Sequence, residues 1–280
     1  MTIKLIALDL DGTTLDKNGR LSEGNRQALM EAAERGVKIL VATGRPLCAL
    51  PDDILNFEPI RYVLTSNGAR IVDLRENRTF YENCLAPNAV EAAVKLLEPL
   101  HYVLETFVNG EAYIEGWYYR QVEETCESFR NVNYILNTRK PKDDFYAFML
   151  ENREHIENIN VNFEDVSEKP AMKVRLEALP DVTITSSFEH NLEIGGSTTS
   201  KGNALRHMGE LLGISPSEMM AVGDSPNDLA MLRETGFPIA VGNAKEEVKK
   251  EAVYVAAPHY EDGVADAVRK FVLTEKSGVE

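Results

Sequence analysis

Read for its alternation of apolar and polar positions, the chain falls into three stretches. The first opens on an apolar run at 3–8, which the pattern gives as a buried strand. "LSEGNRQALMEAAERG" follows, with Ser22 in the N-cap position, Ala28, Leu29, Ala32 and Ala33 on one helical face, and Gly36 where a helix stops. "VKILVATGR" is a second buried strand, so the unit is strand, helix, strand, and the sheet is expected to be parallel. A third strand in "RYVLTSNGARIVD" breaks at Asn67-Gly68, and "RTFYENC" adds a short antiparallel excursion.

From Pro87 the pattern changes. "PNAVEAAVKLLEPL" is an amphipathic helix with Val90, Ala93, Val94 and Leu97 on one side, and "YVLETFVNGEAYIE" is a hairpin turned at Asn109-Gly110. Helices near 118–129, 143–151 and 168–179, with strands near 157–163 and 182–187, complete an α+β segment. Strand and helix then alternate again. Ser200 caps "KGNALRHMGELLG", "MMAVGD" leads to "PNDLAMLRETG", "FPIAV" to "AKEEVKKEA", and "VYVAA" to a final helix over 262–272. The expected architecture is α/β: a Rossmann-like parallel-sheet core from 1–84 and 190–280, interrupted by an inserted α+β domain at 85–189.

A length of 280 residues suits such a two-part chain, and 44% hydrophobic with 27% charged residues can bury a full core. The net charge of −15, from 45 acids and 30 bases, argues against a nucleic-acid or anionic-membrane partner. A small anion would then need a local basic pocket or a metal. Cys48, Cys84 and Cys126 are scattered and show no CxxC spacing, so neither a disulfide framework nor a zinc site is expected. No apolar run approaches the ~20 residues of a membrane span. Asp9 arrives before a signal-peptide core could form, so a cytoplasmic location is expected. The absence of GxGxxG weighs against a nicotinamide or flavin enzyme.

The chemistry sits at the strand ends. Asp9 and Asp11, two apart, should project to one side and repel unless a cation or a shared proton intervenes. In an open parallel sheet, ligands bind beyond the carboxyl ends of the strands, where this chain places Asp9, Asp11, Thr43, Ser66, Asn67 and Asp224. Lys201 and Asp228 start helices at the same rim. A cation in a first helical turn opposes the helix dipole by roughly a few tenths of a kcal/mol or more, which makes sense beside an anion. Asn227 and Asp228 suit a helix start for local reasons, whereas Asp224 at a strand end has no such excuse.

"DLDGT" at 9–13, the strand-terminal Thr of "VATGR", "SKG" at 200–202 and "GDSPND" at 223–228 resemble the four motifs of the haloacid dehalogenase superfamily. With "SNGA" at 66–69, "LEI" before "SKG" and the place of the insertion, the chain resembles the Cof-type subgroup, which carries a large α/β (C2B-like) cap. The resemblance implies a Mg²⁺-dependent phosphatase of small phosphorylated metabolites, sugar phosphates first, working through an aspartyl phosphate. It makes Asp9 the nucleophile and Asp11 the general acid/base. Mg²⁺ would be held by Asp9, Asp224, Asp228 and the backbone carbonyl of Asp11. Lys201 would hold nucleophile and phosphate together. Gly12, Thr43, Gly44, Arg45, Asn67, Gly68 and Asn227 would face the phosphate or the substrate.

The side-chain chemistry agrees. A carboxylate can attack phosphorus and split one hard displacement into two easier ones, and Mg²⁺ prefers oxygen ligands. A general acid/base beside it is worth roughly 10² to 10⁴ in rate. Two departures stand out: "GGSTTSKG" where the subgroup has something like "TPKGVSKG", which bears on cap docking, and Thr14 in place of the usual Leu. A phosphomutase using the same phosphoaspartate, or a sugar-phosphate-sensing protein that does not turn over, stay open as alternatives. So does the choice between monomer and homodimer. Within the insertion, Trp117, Tyr118 and Tyr119 are either a sugar-binding wall or packing, and His101, His155 and His190 read as surface or core residues.

Overall fold

The computed structural model describes residues 2–274. Five strands precede the insertion: β1 (Leu5–Leu8), β2 (Lys38–Ala42), β3 (Ile60–Thr65), β4 (Arg70–Asp73) and β5 (Arg78–Glu82). Six lie within it: β6 (Val103–Val108), β7 (Glu111–Glu115), β8 (Arg139–Lys142), β9 (Ile156–Asn162), β10 (Val182–Thr185) and β11 (Asn191–Gly196). Three follow: β12 (Met219–Gly223), β13 (Phe237–Ala240) and β14 (Tyr254–Val255).

The first sheet runs β14-β13-β12-β1-β2-β3-β4-β5. Its strands from β14 to β3 are parallel, and β4 and β5 turn back as an antiparallel edge. Parallel strands buried on both faces need continuous apolar runs, and β1 (LIAL) and β12 (MMAVG) are buried at every position. Successive strands leave β1 in opposite directions, toward β2 on one side and β12 on the other. That reversal opens a crevice at the carboxyl ends of β1 and β12. The helix Glu23–Glu34, capped by Ser22 on the Asn25 N–H at 3.2 Å, packs with Gly263–Val268. Lys201–Leu212 packs with Leu229–Arg233.

The second sheet runs β10-β11-β9-β6-β7-β8 and is antiparallel except between β7 and β8. The helices Pro87–Leu97, Phe145–Glu151 and Lys169–Glu177 cover one face. There Val90, Leu97, Phe145, Met149 and Met172 pack on Leu104, Ile159, Val161 and Ile194. The alternate positions of β9 carry Asn158, Asn160 and Asn162, all buried, so the uncovered face is polar and turns toward the crevice of the first sheet.

Several expectations need correction. β11 belongs to the second sheet, so the division after residue 189 assigned its first strand to the wrong sheet. That strand ends in Gly195-Gly196 and pairs across a tight return from β10, a signal too short to separate from a linker. The helix expected near 118–129 is Gly116–Thr125, ended by Cys126 in the left-handed region (φ 54°). Beyond it come a helix at Val132–Thr138 and the edge strand β8, neither of them expected, because "RKPK" pairs on one side only and shows no apolar alternation. The stretch 226–236 begins as a tight 3₁₀ turn, Pro226–Asp228, before the short helix Leu229–Arg233. The hairpin turn at Asn109-Gly110 is present, with φ of 53° and 80°.

Candidate active site

β1 ends at Leu8, and the next residue, Asp9, docks its N–H on the Val222 carbonyl at 3.1 Å. The chain then turns at once: the N–H groups of Thr13, Thr14 and Leu15 fold back on the Leu10 carbonyl at 3.3, 3.0 and 3.0 Å. Gly12 makes the turn at φ +80°, and a Cβ there would lie 2.8 Å from Asp224 Oδ2. The strand has ended before Asp11, so the turn and not a strand repeat sets its direction, yet Asp9 and Asp11 line the same cavity. Asp9 is buried, whereas Asp11 stands on the exposed turn. Arg45 grips Asp11 with Nε on Oδ2 at 2.7 Å and Nη2 on Oδ1 at 2.6 Å.

The partners of Asp9 come from the opposite half of the sheet. Lys201 has no exposed surface, and its ammonium donates to Asp9 Oδ1 and Asp228 Oδ1, both at 2.6 Å. Asp228 Oδ2 accepts the N–H groups of Asp224 (2.9 Å) and Ser225 (3.0 Å), which fixes the loop after β12. Asp224 accepts Thr13 Oγ1 at 3.1 Å and Ser225 Oγ at 3.0 Å. Carboxylate oxygens of Asp9, Asp224 and Asp228 all lie within 4.8 Å of one another.

The crowded charges shift one another's ionisation. Burial, then Asp228, pushes the Asp9 carboxyl well above its ordinary range despite Lys201. Burial and Asp228 raise Asp224 as well. Burial would lower Lys201, yet Asp228 and Asp9 hold it above the usual lysine range. Three carboxylates facing one ammonium leave two negative charges uncompensated. Beside them the buried Asn227 Oδ1 accepts no hydrogen bond among the described residues. An all-oxygen donor set with that surplus fits a hard divalent cation such as Mg²⁺. Asp11 contributes no carboxylate oxygen to the set.

Thr43 follows β2, buried, with Oγ1 accepting the Arg45 N–H at 3.1 Å. Asn67 adopts φ 56°, donates from Nδ2 to Glu193 Oε2 at 2.5 Å, and accepts Asn227 Nδ2 on Oδ1 at 3.0 Å. At Gly68 φ is +94° and a Cβ would fall 2.3 Å from the Ser200 carbonyl, so this glycine lets the start of the Lys201 helix approach.

The crevice is a cavity of about 550 Å³ between the two sheets. Asp9, Asp11, Thr43, Gly44, Arg45, Asp224 and Asn227 line one end of it. Gly12, Asn67, Gly68, Lys201 and Asp228 do not line it and act from behind. At the other end stand Glu105, Arg130, Arg139, Asn160, Asn191 and Glu193, with Phe107, Phe129, Tyr134 and Phe188 as apolar walls.

None of these cap residues was singled out from the sequence. One signal was there to find: "NINVN" at 158–162 alternates amides with aliphatics, and amides on the buried face of a strand ask for partners. His190 also lines the cavity, although it reads from the sequence as surface or core, and its Nδ1 lies 2.8 Å from the Phe163 carbonyl. Trp117 is 48% exposed, and Tyr118 and Tyr119 pack around Ile114 and Val122, so the aromatic triplet is no ligand wall.

Residues 6–268 match the family model described as haloacid dehalogenase-like hydrolase. The phosphatase YwpJ of Bacillus subtilis is 32% identical, with 95% of this chain and 99% of that one covered. A second B. subtilis protein, the 5-amino-6-(5-phospho-D-ribitylamino)uracil phosphatase YcsE, is 31% identical, with 97% and 96% covered. The solved structure of a haloacid dehalogenase-like hydrolase from B. subtilis superposes with a TM-score of 0.83 at 30% identity, covering 96% of this chain and all of that one. Among the described residues no helix is long and apolar enough to cross a membrane. With the acidic strand ends, the buried lysine and the capped cavity in place, the chain belongs to the haloacid dehalogenase-like hydrolases and is a phosphatase of that family.

Proposed function

We propose that the protein hydrolyses phosphate monoesters of small polar metabolites, sugar phosphates among them, through an aspartyl phosphate on Asp9, with Mg²⁺ as cofactor. The observation that carries this reading is the position of Lys201, buried and bridging Asp9, which lines the cavity, to Asp228 behind it. An ammonium kept there at full burial has its use when a further anion arrives. Asp9, Asp224 and Asp228 would hold the metal, and the cation would offset charge between the carboxylates and an incoming phosphate.

Lys201 occupies Oδ1 of Asp9, while Oδ2 accepts no hydrogen bond from the described residues. Oδ2 is therefore the attacking oxygen: it bonds to phosphorus as the bond from phosphorus to the ester oxygen breaks. Asp11 gives a proton to that leaving oxygen. In the second half Asp11 takes a proton from water, the water oxygen bonds to phosphorus, and the Asp9–phosphorus ester breaks to release inorganic phosphate. Because Arg45 holds both oxygens of Asp11, proton transfer requires that pair to open. An arriving phosphate offers Arg45 another anion and so favours the opening. The Thr43 hydroxyl, free to donate, faces the same end.

The relatives' names support small polar esters: YcsE is named for a phosphoribityl compound with a uracil ring. The reading is tested by assaying p-nitrophenyl phosphate with and without Mg²⁺, and by Asp9→Asn. Turnover should require the cation, and the folded variant should lose it by at least a thousandfold. Acid-quenched wild-type protein should carry one phosphoryl group by intact mass. Full activity of Asp9→Asn, or activity unaffected by a chelator, would overturn it.

A further inference from the structure

Two arginines of the inserted segment, Arg130 and Arg139, line the cavity, and at first sight they make an anion site. Their partners say otherwise. Arg139 sets Nε on Glu105 Oε1 at 3.0 Å and Nη2 on Oε2 at 2.9 Å, and Arg130 Nη1 closes on the same Oε1. All three side chains are nearly devoid of solvent. Glu193, a second buried carboxylate on this wall, accepts Asn191 Nδ2 at 2.9 Å, Ser187 Oγ at 2.5 Å and Asn67 Nδ2 at 2.5 Å, and pairs with no cation among the described residues. Two positive and two negative side chains thus sum to zero. A second anionic group entering here would lose its water and meet Glu193 with no net positive charge to receive it. Among the other polar groups of this lining, the amides of Asn131, Asn160 and Asn191 and the hydroxyls of Tyr134 and Ser187 suit neutral hydroxyls and amides.

We infer that the cap end of this cavity selects monophosphates whose far end is uncharged and hydrogen-bonding, and that Glu105 is the specificity residue that pairs with Arg130 and Arg139 and, together with the charge of Glu193, offsets them, so excluding substrates with a second anion. This rests on the phosphatase reading above and narrows it to a substrate class.

The test uses a pair of esters matched in length and hydroxyl count along the chain, glucitol 6-phosphate and 6-phosphogluconate, which differ at the far carbon as alcohol against carboxylate. The wild-type protein with Mg²⁺ should favour the alcohol by about tenfold or more in kcat/KM. Glu105→Gln unmasks one positive charge and should move that ratio toward the carboxylate by about tenfold. Equal use of the two esters by the wild type, or preference for the carboxylate, overturns the inference. A folded Glu105→Gln protein with an unchanged ratio overturns the role of Glu105. Should that variant fail to fold, the wild-type ratio still decides the substrate class. Hydrolysis of p-nitrophenyl phosphate with neither hexose-derived ester used refutes the inference alone, whereas failure on all three esters refutes the phosphatase reading with it.

Discussion

Gly12 and Gly19 separate two effects that a single glycine usually confounds. Both sit in the left-handed region, at φ +80° and +73°, where an alanine strains the backbone by about 1 kcal/mol. Around Gly19 nothing lies within 4 Å of an added Cβ, while at Gly12 the same atom would press on the Asp224 carboxylate at 2.8 Å. Gly19→Ala should therefore lower stability by about 1 kcal/mol and leave catalysis alone. Gly12→Ala should add a displaced Asp224. The measurement is the Mg²⁺ concentration for half-maximal activity, expected to rise about tenfold or more for Gly12→Ala and to stay within about twofold for Gly19→Ala. Equal behaviour of the two would mean that the turn acts through backbone strain only. At this scale the sequence was most legible where local chemistry conflicted with position, as with Lys201 in a first helical turn. At Asp11 the reason differs from the one the pattern offers: the ladder has ended at Leu8, so the turn and not a strand repeat brings Asp11 to the cavity that Asp9 lines.

Along whole elements, legibility follows which face carries the signal. β1 and β12 are apolar throughout, as is β2 after its exposed Lys38, and all three were readable, as was the amphipathic helix at Pro87–Leu97. β6, β9 and β11 were harder, since each places aliphatics toward the helices and Glu105, Asn160 or Glu193 toward the cavity, and alternation alone suggests a solvated face. In fact these polar groups are buried, and their ionisation is tied to folding. Burial would raise the Glu105 carboxyl, but Arg130 and Arg139 outweigh it and hold it down at about 2, against an ordinary 4.5. A folded-state value below the unfolded one means that the contribution is fully present above about pH 4.5 and is lost as pH falls toward 2. The shift corresponds to about 3 kcal/mol. Chemical denaturation from pH 7 to 3 should show the wild type losing stability more steeply than Glu105→Gln below pH 4.5. Parallel curves would indicate that other carboxylates govern the acid limb.

For the molecule as a whole, the cap and the strand ends are joined by buried polar links rather than by one apolar interface. Glu157 on β9 accepts Ser66 Oγ at 2.6 Å, Arg70 Nη1 at 3.0 Å and the Gly110 N–H at 2.6 Å. Asn67 joins Glu193 to Asn227 in the loop that carries Asp224 and Asp228. A cation bound by the three aspartates would thus stabilise a loop already tied to the second sheet, so its effect should appear in global unfolding. Ligand binding to the folded state alone contributes about 2.7 kcal/mol at a hundredfold excess over Kd. Mg²⁺ should therefore raise the melting temperature in a saturable manner. The net charge of −15 supplies a rival explanation, because any salt screens the self-repulsion of an acidic protein. Two controls separate them: sodium chloride at equal ionic strength, and Asp224→Asn, which removes one charge of the cluster and changes the total charge by one. If the gain comes from the site, sodium chloride should give little of it, and the variant should shift the Mg²⁺ dependence to much higher concentration. If screening is the cause, both salts should raise the melting temperature alike and the variant should follow the wild type at every concentration.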